Sequence, residues 1–159
     1  MNPSKKSAQG IHYAVPGLGC LVLLAASLVI ADVRLWAVSA ALGTIYAICV
    51  PLFFLPVFYR YCRKCPHAAD GTCRHVIFGR AAKALFTLQK PAPYTTAELI
   101  LSLGPLGLLV LFPQYWLFAS SVWWGAAFWV PLAAAGVIVR AGVCPGCGNR
   151  MCALCPRVR

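Results

Sequence analysis

Residues 99–139 contain no Asp, Glu, Lys or Arg over 41 consecutive positions. Two further runs, 7–31 and 35–59, are equally free of charge. A helix crossing the hydrocarbon core of a bilayer needs about 20 apolar residues. The runs therefore accommodate one, one and two spans. Only 17 of 159 residues are charged, 14 basic and three acidic, whereas a soluble domain devotes roughly a quarter of its residues to charge. An all-α membrane protein of four transmembrane helices is expected.

The placement of charge orients these helices. Lys5 and Lys6 precede the first span, while Arg60, Arg63, Lys64, Arg74, Arg80, Lys83 and Lys90 lie between the second and third. Arg140, Arg150, Arg157 and Arg159 follow the fourth, and Arg34 alone falls in the opposite set of loops. Excess Lys and Arg marks the cytoplasmic side. The expected location is the cytoplasmic membrane, with N- and C-termini cytoplasmic. Topology and contact with anionic lipid account for the net charge of +11. No basic folded domain remains outside the membrane to bind nucleic acid. The basic-then-apolar start resembles a signal peptide, but its length and the short link to the next span favour an uncleaved helix.

The expected spans are 11–31, 35–59, 97–112 and 116–139, with outer turns at Asp32-Val33-Arg34 and Pro113-Gln114. An amphipathic, interfacial helix is expected over 75–90, where apolar residues alternate with Arg80, Lys83 and Lys90. Thr95 and Glu98 have capping-box spacing at the start of span 3. Glu98 could alternatively carry a proton or ligate a metal at the membrane edge. Trp116 suits an interfacial aromatic belt, with Trp123, Trp124 and Trp129 deeper.

A cysteine pattern repeats. Cys62, Cys65 and Cys73 read C-x2-C-x7-C, and Cys144, Cys147 and Cys155 repeat it 82 residues later. Each copy comes after two spans, so the chain reads as two duplicated helical hairpins, each ending in a Cys-rich hook. The units are 1–90 and 91–159. The hooks align at an offset of 82, whereas Gly19-Cys20-Leu21-Val22-Leu23 aligns better with Gly107-Leu108-Leu109-Val110-Leu111 at 88. A short insertion or deletion would reconcile the two offsets.

Paired cysteines at C-x2-C spacing can aim two thiolates at one metal ion. Cys144-Pro145-Gly146-Cys147-Gly148 has the form of the knuckle in zinc ribbons and rubredoxins. With Cys152 and Cys155 it offers four thiolates. The first hook is one short and must complete its set with His67, His75, Asp70 or a borrowed ligand. Two zinc-type sites are the favoured reading, with an iron–sulfur cluster or thiol–disulfide exchange as alternatives. Cytoplasmic thiols stay reduced, which argues against structural disulfides. Arg63, Lys64 and Arg74 would favour thiolate at the first hook. Cys20 and Cys49 lie within spans and suit packing.

No nucleophile–base pair, phosphate loop or carboxylate pair is evident. The expected role is a structural or docking accessory rather than an enzyme. Its partners would be the bilayer and a protein at the cytoplasmic face, with any small-molecule substrate left open. The alternatives are an iron–sulfur electron carrier and a protein handling a soft metal or thiol redox equivalents.

Overall fold

The computed structural model describes residues 3–69, 73, 76–147, 149 and 152. Among these there is helix and no strand. Four helices are long and apolar enough to cross a membrane: Val15–Val38, Ala40–Lys64, Thr96–Ser120 and Val122–Val143. In lipid each backbone polar group must be satisfied internally, and a helix does this within one segment.

The first span is the later part of α1 (Pro3–Val38), and the second comprises α2 (Ala40–Pro56), a π-helical turn (Val57–Tyr61) and a 3-10 turn (Cys62–Lys64). Two short helices come next, α3 (Pro66–Ala69) and α4 (Val76–Leu85). The third span joins α5 (Thr96–Leu111) to α6 (Gln114–Ser120). The fourth is α7 (Val122–Ile138) with a π-helical turn (Val139–Val143), succeeded by α8 (Cys144–Cys147). Helix α4 is shorter than the expected 75–90. After it the chain runs without regular structure to the cap of α5.

Neither outer turn lies where charge and proline suggested. Asp32 and Arg34 are helical, and the chain reverses at Ser39, whose backbone is extended (φ −161°, ψ 130°). The second reversal is at Ser121, again extended (φ −172°, ψ 145°), with its side chain capping the Trp123 N–H. Charge at a membrane surface does not require a break, and Arg34 Nε instead donates to Ser120 Oγ across the two hairpin ends. Pro113 does not end span 3 because its carbonyl still accepts from the Leu117 N–H at 3.0 Å. The later reversal places Trp123 and Trp124 beside the outer turn rather than deep in the span.

Helix α1 packs along α7 and α2, while α5 lies against α2 and α6 against α7. The core cluster is Ala31, Leu35, Tyr46, Leu109, Leu117 and Phe128. It occupies the half of the bundle near Ser39 and Ser121. Large apolar side chains such as Val22, Ile45, Leu108 and Val130 remain exposed around it, as a bilayer-facing surface requires.

Several features recur 82 residues apart: Ser39 and Ser121 at the reversals, buried Leu35 and Leu117, buried Tyr46 and Phe128, and the two π-helical turns. Gly43 and Gly125 also correspond, and a Cβ on either would collide with Trp36 or Phe118 respectively, themselves 82 apart. At the expected offset of 88, buried Leu35 would instead match Trp123, which is 79% exposed. These pairs share the 82-residue offset of the cysteines.

Candidate functional site: a thiol cluster at one end of the bundle

Both π-helical turns deliver a cysteine. The backbone N–H of Cys62 donates to Val57 O, and that of Cys144 donates to Val139 O. One extra residue in a turn rotates the downstream chain by roughly 100° relative to an uninterrupted helix. The same device thus sets the exit direction of both cysteine segments. Gly142 in the second π turn lies close to Pro16 of α1, where an added Cβ would sit 3.1 Å from the Pro16 Cβ.

The two segments meet. The Tyr61 hydroxyl lies 2.9 Å from Cys152 Sγ, and the Asn149 side-chain amide donates to Cys65 Sγ at 3.6 Å. Tyr94, just before span 3, stacks on Tyr61 with ring centroids 4.3 Å apart. Its hydroxyl donates to Tyr61 O at 3.0 Å. Cys62 is within electrostatic reach of Cys65, Cys73 and Cys152, and Cys65 within reach of Cys147 and Cys152. Five thiols from both halves of the chain therefore share one neighbourhood.

Cys65 receives several donors from protein groups. The backbone N–H groups of His67 and Ala68 donate to it, in addition to Asn149. Burial pushes its thiol above the ordinary range. The two backbone donors oppose this, while Cys147 and Cys152 add to it. Burial, then Cys65, Cys152 and Cys62, pushes the Tyr94 hydroxyl upward as well. Hydrogen bonds to sulfur favour the thiolate, while apolar surroundings and neighbouring thiolates disfavour it.

Arg63 and Lys64 are engaged elsewhere. Arg63 lies 4.5 Å above the Tyr59 ring and donates to Thr87 O at 2.9 Å. The Gln89 N–H donates to Arg63 O at 3.0 Å, so the chain after α4 is fastened to the Cys62–Lys64 turn. Lys64 pairs with Glu98, which also completes the capping box with Thr95. The cap expected of Glu98 is thus present, with an ion pair added. Arg63 and Lys64, expected to favour thiolate at the first hook, fasten instead to Thr87 O and to Glu98 at the cap of α5.

The structure divides the expected ligands. Cys62, Cys65, Cys73, Cys147 and Cys152 are half-buried thiols. His67 is half-buried on α3. Cys144 is buried and disulfide-bonded. Cys155, His75 and Asp70 lie outside the described residues. The bond is a departure from the expectation of reduced thiols. While it stands, Cys144 cannot serve as a thiolate in a C-terminal four-cysteine set. Among the described residues, no three His, Cys, Asp or Glu side chains are disposed to hold a metal ion as they stand. Tyr61, Tyr94 and Asn149 were not anticipated as parts of this site. Only the adjacency of Tyr61 to Cys62 and of Asn149 to Cys147 hinted at them.

Comparison with protein-family models, curated proteins and solved structures returns no match.

Proposed function

We propose that this chain is a small integral membrane protein, built from two copies of a helical hairpin, whose cysteine-rich cytoplasmic end binds a zinc-type metal and docks a partner protein. The observation that carries the reading is the meeting of the two cysteine segments at one end of a four-span bundle. Thiolates are ligands for zinc and other soft cations. A metal there would clamp chain segments too short to fold by apolar burial, in the manner of structural zinc sites. The features recurring at 82 residues support the duplication. The two hairpins would be parallel repeats about an axis along the membrane normal. The basic residues around the cluster would face the cytoplasm, and α4 would lie along the headgroup layer. The role proposed is that of an accessory protein.

Metal and acid-labile sulfide analysis of the detergent-solubilised protein, purified without oxygen, tests this directly. Zinc in simple ratio to protein, with no visible absorbance, is expected. Iron with labile sulfide and a broad visible band would replace the zinc reading with electron transfer, and absence of any bound metal would remove both.

A further inference from the structure

Asp32 lies within the first span, about 10 Å of helix below the reversal at Ser39. Ala31 and Leu35 beside it on α1 are fully buried in the core cluster. The carboxyl oxygen Oδ1 of Asp32 is itself buried and has no hydrogen-bond partner among the described residues. Arg34 does not pair with it, being bound to Ser120 Oγ. We propose that Asp32 is a proton-binding site. The folded bundle holds its carboxyl as the neutral acid, with the O–H donated to Leu28 O, and loss of the proton loosens the core around Tyr46.

Two observations lead to it. First, hydroxyl side chains in the spans turn to the carbonyl four residues earlier. Ser27 Oγ donates to Leu23 O at 3.1 Å and Thr44 Oγ1 to Ala40 O at 2.8 Å. Ser102 Oγ donates to Glu98 O at 2.6 Å and Ser120 Oγ to Trp116 O at 2.7 Å. Such back-bonding satisfies a polar group locally where lipid offers no partner. For Asp32 the carbonyl in that position is Leu28 O. A carboxylate has only acceptors and cannot use it, whereas the neutral acid carries the O–H that fits.

Second, Gln114 stands 82 residues after Asp32, as Leu117 stands after Leu35. Its side-chain amide donates to Val110 O, again the carbonyl four residues earlier, and its Oε1 accepts from Trp129 Nε1 at 2.8 Å. The positions corresponding to Val110 and Trp129 are Leu28 and Ala47. Ala47 has no side-chain N–H, so nothing there replaces Trp129 as a donor to a carboxylate. The neutral acid, donor and acceptor together, is the form of Asp32 that matches the Gln114 amide.

The elements packed on α1 supply no counter-charge. Helix α2 brings Tyr46 and Cys49, and the Tyr46 hydroxyl is committed to Leu109 O. Helix α6 carries Tyr115, which is exposed, and α7 has no titratable residue. The cations Arg80 and Lys83 of α4 and Arg140 of the second π turn belong to the cysteine end. Removing the proton therefore leaves an unpaired charge beside the core, and opening that half to water relieves it.

The chain has three acidic residues, which suits infrared spectroscopy of the full chain in detergent. At neutral pH the wild type should show the carbonyl stretch of a neutral carboxylic acid, and Asp32→Asn should lack it. Thermal unfolding supplies the second readout. The folded state binds a proton that the unfolded state releases, so the wild-type midpoint should fall as pH is raised. Asp32→Asn keeps a donor for Leu28 O and should remove that slope. Absence of the acid band, or an unchanged slope in Asp32→Asn, would overturn the proposal. So would a midpoint that falls on acidification and is levelled by Asp32→Asn, since that marks a carboxylate held by a cation. Should Asp32→Asn not fold, dicyclohexylcarbodiimide, which adds to neutral carboxyls in apolar surroundings, decides on the wild type. Labelling of Asp32 at neutral pH that declines as pH is raised is expected, and no labelling there would refute the site.

Discussion

Tyr46 shows how a proline is accommodated inside a span. Pro113 has no N–H, so the carbonyl of Leu109, four residues earlier, loses its helical donor. The Tyr46 hydroxyl supplies one from the neighbouring α2, at 2.9 Å in a buried setting. Gln114 performs a similar repair on the next carbonyl, with its side-chain amide donating to Val110 O while its own carbonyl oxygen accepts from Trp129 Nε1 at 2.8 Å. Tyr46→Phe should therefore cost about 1–2 kcal/mol, because a buried carbonyl is left without a partner. Thermal unfolding in detergent would show it, and an unchanged midpoint would mean another donor replaces the hydroxyl. At the cysteine end Tyr94→Phe removes the bond to Tyr61 O while keeping the stacked ring. It should loosen the contact between Tyr61 and Cys152, read as faster alkylation of Cys152 in the metal-free chain. An unaltered rate would show that stacking alone positions Tyr61.

At the scale of the element, the hairpins depend on two glycines. Trp36 folds over Gly43 and Phe118 over Gly125, so that each aromatic ring occupies the place of the missing side chain. Gly43→Ala and Gly125→Ala should each destabilise the bundle by about 1–3 kcal/mol, the usual cost of overpacking. Gly136→Ala should be neutral or mildly stabilising, since nothing lies within 4 Å of the added carbon and alanine favours helix. Comparing midpoints of the three variants checks the account, and equal effects would contradict it. These elements also show what was legible beforehand. The four spans follow from uncharged apolar runs, because lipid admits little else. The capping box at Thr95 follows from a local spacing. The ends of the spans did not, since Asp32, Arg34 and Pro113 look like punctuation, whereas single extended serines make the turns. The 82-residue correspondence of positions was hidden in the spans because apolar residues substitute for one another freely. It emerges only when buried positions such as Leu35 and Leu117 can be matched.

At the scale of the whole molecule, the apolar core and the thiol cluster occupy opposite halves of the bundle. The half near Ser39 and Ser121 is held by packing around Tyr46 and Phe128. The other half is held by polar contacts among Tyr61, Tyr94, Arg63, Lys64 and Glu98. A metal ion would add most where apolar packing contributes least. The nine cysteines were visible in the sequence as candidate ligands. Their partition was not, because it depends on contacts between residues 84 and 91 positions apart. If the cysteine end is cytoplasmic, a membrane-impermeant maleimide should label the thiols of Cys62, Cys65 and Cys152 in inverted vesicles and spare them in intact cells. The reverse pattern would invert the assigned topology. The convergence of the two segments is most directly measured with a short bifunctional thiol crosslinker. The chain used would retain Cys65 and Cys152, keep Cys144 and Cys155, and carry serine at its other cysteines. Cleavage between the hairpins should leave fragments joined through Cys65 and Cys152. Recovery of only singly modified fragments would show that the segments do not meet.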